Sequence, residues 1–127
     1  MYEVKENKLE FSQRLLDFNK LIYQKIEKEG IHLIVPQRDI NQKRPGNEIR
    51  EEEFGIIRGK DCNGLIMILG HTPGIWAEAG YAKAFDKKNY GLKLKNSWNL
   101  DWLNSLFDFV SEDIDELIME VKKNDYR

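Results

Sequence analysis

Cysteine is nearly absent from this chain: Cys62 is the single one in 127 residues, so neither an internal disulfide framework nor a multi-cysteine zinc site is available. Histidine is scarce too. His32 and His71 are the only imidazoles, no His/Cys set has metal-ligand spacing, and no metal or other cofactor is expected. No apolar run approaches the roughly 20 residues needed to cross a membrane, and no signal-peptide pattern opens the sequence. These absences lead us to expect a cytoplasmic protein without a membrane partner. A formal net charge of -2 gives no bulk attraction to a nucleic-acid polymer or an anionic surface. Nucleotide P-loops, dinucleotide glycine fingerprints, serine elbows, internal repeats and low-complexity tracts are all missing. With 41% apolar residues, the composition suffices for one domain over residues 1–127 with one core.

What is present centres on the stretch from Gly64 to Lys88. Leu65 to Leu69 is a continuous apolar run bounded by glycines, too short for a helix and typical of a central parallel strand buried on both faces. Thr72 then offers a capping side chain and Pro73 a tolerated first helical position, so a helix is expected to start there. From Pro73 to Ala84 nearly every position is small or apolar, and Glu78 sits in the middle. No lysine or arginine lies three or four residues away from it, and the absent side chain at Gly74 opens space one turn above. Either Glu78 lines a narrow wet edge of the helix, or its carboxylate is there to meet a ligand, since carboxylates are rarely buried without a partner.

The rest of the chain frames this segment. Leu9 to Glu29 has apolar residues at helical spacing, including Phe11, Leu15, Phe18, Ile22 and Ile26, with Gly30 as a stop. Ile31 to Val35 reads as a short β-branched strand ending at Pro36, with Gln37, Arg38 and Asp39 just beyond it. Residues 40–47 read as an exposed loop and Glu48 to Arg58 as a second helix, in which Glu51 and Glu52 are dipole-compensating surface acids. Tyr90 to Leu94 suggests a strand less central than Leu65 to Leu69, and Leu106 to Val110 a last one. Ser111 is placed to cap a final helix from Glu112 to Lys123, whose Ile114, Leu117, Ile118 and Val121 make one stripe. Cys62 reads as a small core residue. Trp98 and Trp102, four apart, suit a core cap better than a ligand wall or a subunit contact. The order of elements argues an α/β layered fold with a mainly parallel sheet, and ligands in such sheets sit beyond the strands' carboxyl ends. That rule gathers Pro36 to Asp39, Gly70 to Gly74 and Lys95 to Trp98 on one rim, with Glu78 one turn inside it.

At this point a resemblance becomes visible. The run Thr72-Pro73-Gly74-Ile75-Trp76-Ala77-Glu78-Ala79-Gly80-Tyr81-Ala82, after a buried strand and a short loop, resembles the signature of the nucleoside 2-deoxyribosyltransferase family. Its members are transferases and hydrolases acting on the N-glycosidic bond of nucleosides or nucleotides. Glu78-x-Gly80-Tyr81-Ala82 is the most specific part, and the similarity extends from about Gly30 through the final helix. It implies a flavodoxin-like Rossmannoid three-layer sandwich with a mainly parallel sheet of four to five strands. It implies also that Glu78 matches the nucleophilic glutamate that attacks the sugar's anomeric carbon. Glu53 matches the second acid, which assists the departing base, and Asp61 competes with it for that role. Gln37 matches a residue lining the base or sugar pocket, and Gly74 the glycine at the helix mouth. With Arg38, Gly70, Thr72 and Tyr81 they make up the expected substrate-binding set.

The implied ligand is a small nucleoside or nucleotide. A homo-oligomer is implied by resemblance alone, with Trp98, Trp102 and Phe107 as candidates for either its contact or the monomer core. Two departures mark a divergent or shortened member. Thr72 stands where the family often has aspartate or serine, and no glycine precedes Gly30, so the family's opening strand and small-residue loop have only Tyr2 to Val4 as a counterpart. A Toll/interleukin-receptor-like NAD-cleaving or nucleotide-sensing domain, which also uses a helix-borne glutamate, and a non-catalytic nucleotide-binding module are the alternatives.

Overall fold

The structure, a computed structural model, describes residues 17–69, 73–94 and 104–125. The expectations for Tyr2 to Val4, Phe11, Leu15, Gly70, His71, Thr72, Lys95 to Trp98 and Trp102 lie outside the described residues. The chain divides into two compact units, Met1–Leu33 and Ile34–Arg127. In the first, residues 17–28 are helical (α1), Ile26 is buried, and Gly30 ends the helix at φ 84°. Only glycine adopts that conformation freely, which is why the apolar spacing stops there.

The second unit is a mixed α/β structure. It contains α2 (Pro36–Asp39), α3 (Gly46–Arg58), β1 (Gly64–Leu69), α4 (Pro73–Ala84), β2 (Lys88–Lys93), β3 (Phe109–Ser111) and α5 (Ile114–Asp125). The three strands pair in the order β1-β2-β3, and both pairings are parallel. Of the four to five strands expected, three are seen among the described residues.

The strand expected at Ile31 to Val35 is not one of them. Pro36 starts α2 directly after it, and the backbone of Val35 is spent on that turn. Its N–H donates to the Asp39 carboxylate (2.8 Å), and its carbonyl accepts from the N–H groups of Arg38 and Asp39. A residue whose N–H and C=O cap a helix cannot also serve a ladder.

The second correction concerns which strand is central. Among the described strands β2, not β1, lies in the middle, and four of its six residues are buried against two in β1. Its polar-looking Asn89 is fully enclosed because the side-chain amide donates to the carbonyls of Ala79 (3.0 Å) and Leu106 (2.8 Å). Register puts Leu65 beside Asn89 and Met67 beside Gly91, so these residues share the sheet face that α4 covers. Met67 and Leu69 pack there with Ala79 and Phe107, flanked by Trp76. Gly91 makes room for this cluster: a Cβ there would come within 2.9 Å of Leu69 and 3.2 Å of Phe107. Phe107 is therefore core of this unit, 8% exposed, with Trp76 edge-on at 5.8 Å. Tyr90 and Leu92 alternate onto the opposite face and are buried as well, so both faces of the sheet are covered.

The remaining differences are local. The last strand falls at Phe109–Ser111, because the Asp108 carboxylate takes the Asn89 N–H (2.8 Å) just before the β2–β3 pairing begins. Asp113, not Ser111, caps α5: its carboxylate accepts from the Asp115 N–H (2.9 Å), while Ser111 accepts from the Asp113 N–H (3.0 Å). No helix among the described residues is long and apolar enough to cross a membrane.

Candidate functional site

The site is built on two neighbouring helices. Pro73 at the first position of α4, followed by small residues, gives a helix that packs closely on β1 and β2. On its far side α4 packs against α3, whose buried Ile57 anchors that helix. Glu78 projects from the middle of α4 and Glu53 from the middle of α3, both half-buried. The two carboxyls lie within hydrogen-bonding reach of each other.

Two carboxyl groups in contact cannot both ionise freely, so a proton is held between them. Glu78 is pushed from 4.5 up to about 7, first by its burial, then by the negative charge of Glu53 and by the hydrogen bond to it. Near neutrality the pair therefore keeps one proton. Glu53, and not Asp61, is the acid that acts on Glu78; Asp61 stands exposed on the loop after α3. Glu51 and Glu52 belong to the surface, facing Arg50 (3.6 Å) and Arg44 (3.0 Å) respectively.

Beside the carboxyl pair the same two helices meet a second time. Tyr81, one turn after Glu78, stacks on Phe54, the neighbour of Glu53, with ring centroids 4.0 Å apart and planes 11° from parallel. The Arg58 guanidinium donates to the Tyr81 hydroxyl (3.2 Å), and Phe85 leans on the same ring at 4.9 Å. Spacing alone did not reveal Phe54 or Arg58. The signal available was that each carboxylate has an aromatic residue one to three positions after it, on helices flanking the same strand.

Gln37 and Arg38 are exposed on α2, where Arg38 forks onto Asp39 at 2.9 and 3.0 Å. Gly74 lies in the first turn of α4, whereas Gly70 and Thr72 precede the described part of that helix. His32 is exposed, and Cys62 is half-buried with its thiol toward the Gly64 carbonyl (3.6 Å).

Comparison with known proteins finds no matching family model, curated protein or solved structure. The chemistry of the site has to be read from its own side chains. A half-buried carboxyl pair sharing one proton offers a nucleophile and an acid within one side-chain length. Its aromatic flank offers a surface on which a planar group can lie.

Proposed function

We propose that the protein cleaves or transfers the N-glycosidic bond of a (deoxy)nucleoside or nucleoside 5'-monophosphate, with Glu78 as nucleophile and Glu53 as the acid. The observation that carries this reading is the contact between the two carboxyls, reached from separate helices. A Glu78 oxygen attacks C1' of the sugar as the C1'–N bond breaks, and the departing base takes the proton of Glu53, leaving a glycosyl ester on Glu78. Water or a second base then attacks C1', gives its proton to Glu53 and frees the Glu78 carboxylate. The three parallel strands suit a flavodoxin-like Rossmannoid sheet of four to five strands, which would bring residues 70–74 to the mouth of α4. Gln37, Arg38 and Tyr81 are assigned to base and sugar contacts in this reading.

The test is turnover of a panel of deoxynucleosides and their 5'-monophosphates, with and without an acceptor base, and with NAD included as a separate substrate. Base release or base exchange is expected, falling by at least about 10³-fold in Glu78→Ala. Absence of product throughout the panel, with the variant indistinguishable from the native chain, removes the proposal. Consumption of NAD alone would assign the same glutamate to nicotinamide cleavage instead.

A further inference from the structure

We infer that the Phe54–Tyr81 ring stack is a positioning device that clamps α3 to α4 and thereby sets the approach of Glu53 to Glu78. The inference deepens the role given above to the two glutamates, and its test needs no turnover.

The geometry has two adjacent rungs between the same pair of helices. One is polar: Glu53 to Glu78. The other is apolar: Phe54 to Tyr81, nearly parallel at 4.0 Å. Left alone, the polar rung pushes the helices apart once it ionises, because two carboxylates repel and each regains water by separating. The ring stack opposes that separation, since parting the rings exposes both apolar faces. Arg58 fixes the far end of Tyr81 by donating to its hydroxyl, which limits sliding of one ring across the other.

Among the described residues, Glu53 is the one charged group that shifts Glu78. From α3, Glu53 is the group that acts on Glu78, Arg58 being turned onto Tyr81. β1 contributes no titratable side chain, the β2 ammoniums Lys88 and Lys93 are not among the groups that shift Glu78, and Tyr90 faces the other side of the sheet.

The test is the titration of Glu78 followed by carbon-detected NMR of its carboxyl in substrate-free protein. Phe54→Leu and Tyr81→Leu keep apolar bulk but remove the ring overlap. Each is expected to bring the Glu78 midpoint down from about 7 by about 1 pH unit or more, as Glu53 moves off and water enters. Tyr81→Phe keeps the stack and is expected to hold the midpoint close to native. Phe85→Ala, which trims the aromatic cluster outside the α3–α4 stack, serves as the control for general loosening. A midpoint that moves no further in the Leu variants than in Phe85→Ala overturns the inference. If one Leu variant fails to fold, the other still decides, and should neither fold while Tyr81→Phe does, the rings support the fold as a whole and the positioning role is rejected. A native titration pattern with no turnover rejects the glycosidic chemistry alone, whereas turnover with an unresponsive midpoint rejects the clamp alone.

Discussion

Glu53 and Glu78 cannot be understood one residue at a time. Glu53 adds to the cost of ionising Glu78, and in the proposed reaction the proton kept there near neutrality is the one a departing base requires. In the proposed reaction that proton passes from Glu78 to Glu53, leaving the charge on the nucleophile. It follows that kcat/KM falls above about 7, as the pair loses its last proton, and falls again on the acid side as a second proton arrives. Glu53→Gln checks the assignment. Its amide donates to Glu78 and favours the ionised form, so the alkaline limb should disappear while kcat on ordinary deoxynucleosides drops by about 10²–10⁴-fold. A nucleoside whose base already carries a positive charge leaves without a proton and should be far less affected; equal losses on both substrates would deny Glu53 the role of acid. Glu78 itself was legible in the sequence, because helical spacing shows which positions can answer a charge and none of them does. Its partner was open between Glu53 and Asp61, since pairing across two helices is fixed by how they pack.

At the scale of elements, apolar runs and stops were readable and the ranking of strands was not. Helix α4 has the predicted bounds, Pro73 and Ala84, and α3 begins only two residues early, because proline, glycine and spacing act locally. β2 was ranked below β1 because Tyr90 to Leu94 alternates, and the strand in fact begins two residues earlier, at Lys88. The NH2 group of the Asn89 amide donates to the carbonyls of Ala79 and Leu106, ten and seventeen residues away, which no local pattern announces. Two substitutions probe these joints with opposite signs. Asp86 ends α4 in the left-handed region at φ 58°, with the Lys87 N–H returning to the Ala82 carbonyl (3.0 Å). Asp86→Gly removes the side-chain penalty there and should raise stability by about 0.5–1 kcal/mol, read as a higher urea midpoint at unchanged slope. At Gly64, a Cβ would meet the backbone oxygen of Lys88 at 2.6 Å. Gly64→Ala must push β1 off β2 and should cost about 1–3 kcal/mol in the same measurement; a neutral result would show that the strands part there without penalty.

For the whole molecule, two carboxyls give pH-dependence of opposite sign. Burial pushes Asp108 up, but the Asn89 N–H and the Lys83 and Lys88 ammoniums together hold it below its ordinary 3.8. An acid held low binds fewer protons folded than unfolded, so its contribution is present above 3.8 and is lost as pH falls through the folded value. Glu78 behaves in the reverse way. Raised from 4.5 to about 7, it binds more protons folded than unfolded, so its contribution is complete below 4.5 and is lost as pH rises to about 7. These two groups place the best stability on the acid side of neutrality, and the descent toward pH 8 should amount to about 1–2 kcal/mol, reduced from the full linkage value because the carboxyl is partly solvated. Glu78→Gln has nothing to ionise. Urea melts from pH 4 to 8 should find it flat across the window where the native protein weakens, and the more stable of the two at pH 8. A native curve that stays level through about 7, or a variant that falls in parallel with it, would mean that Glu78 meets water as freely in the folded chain as in the unfolded one.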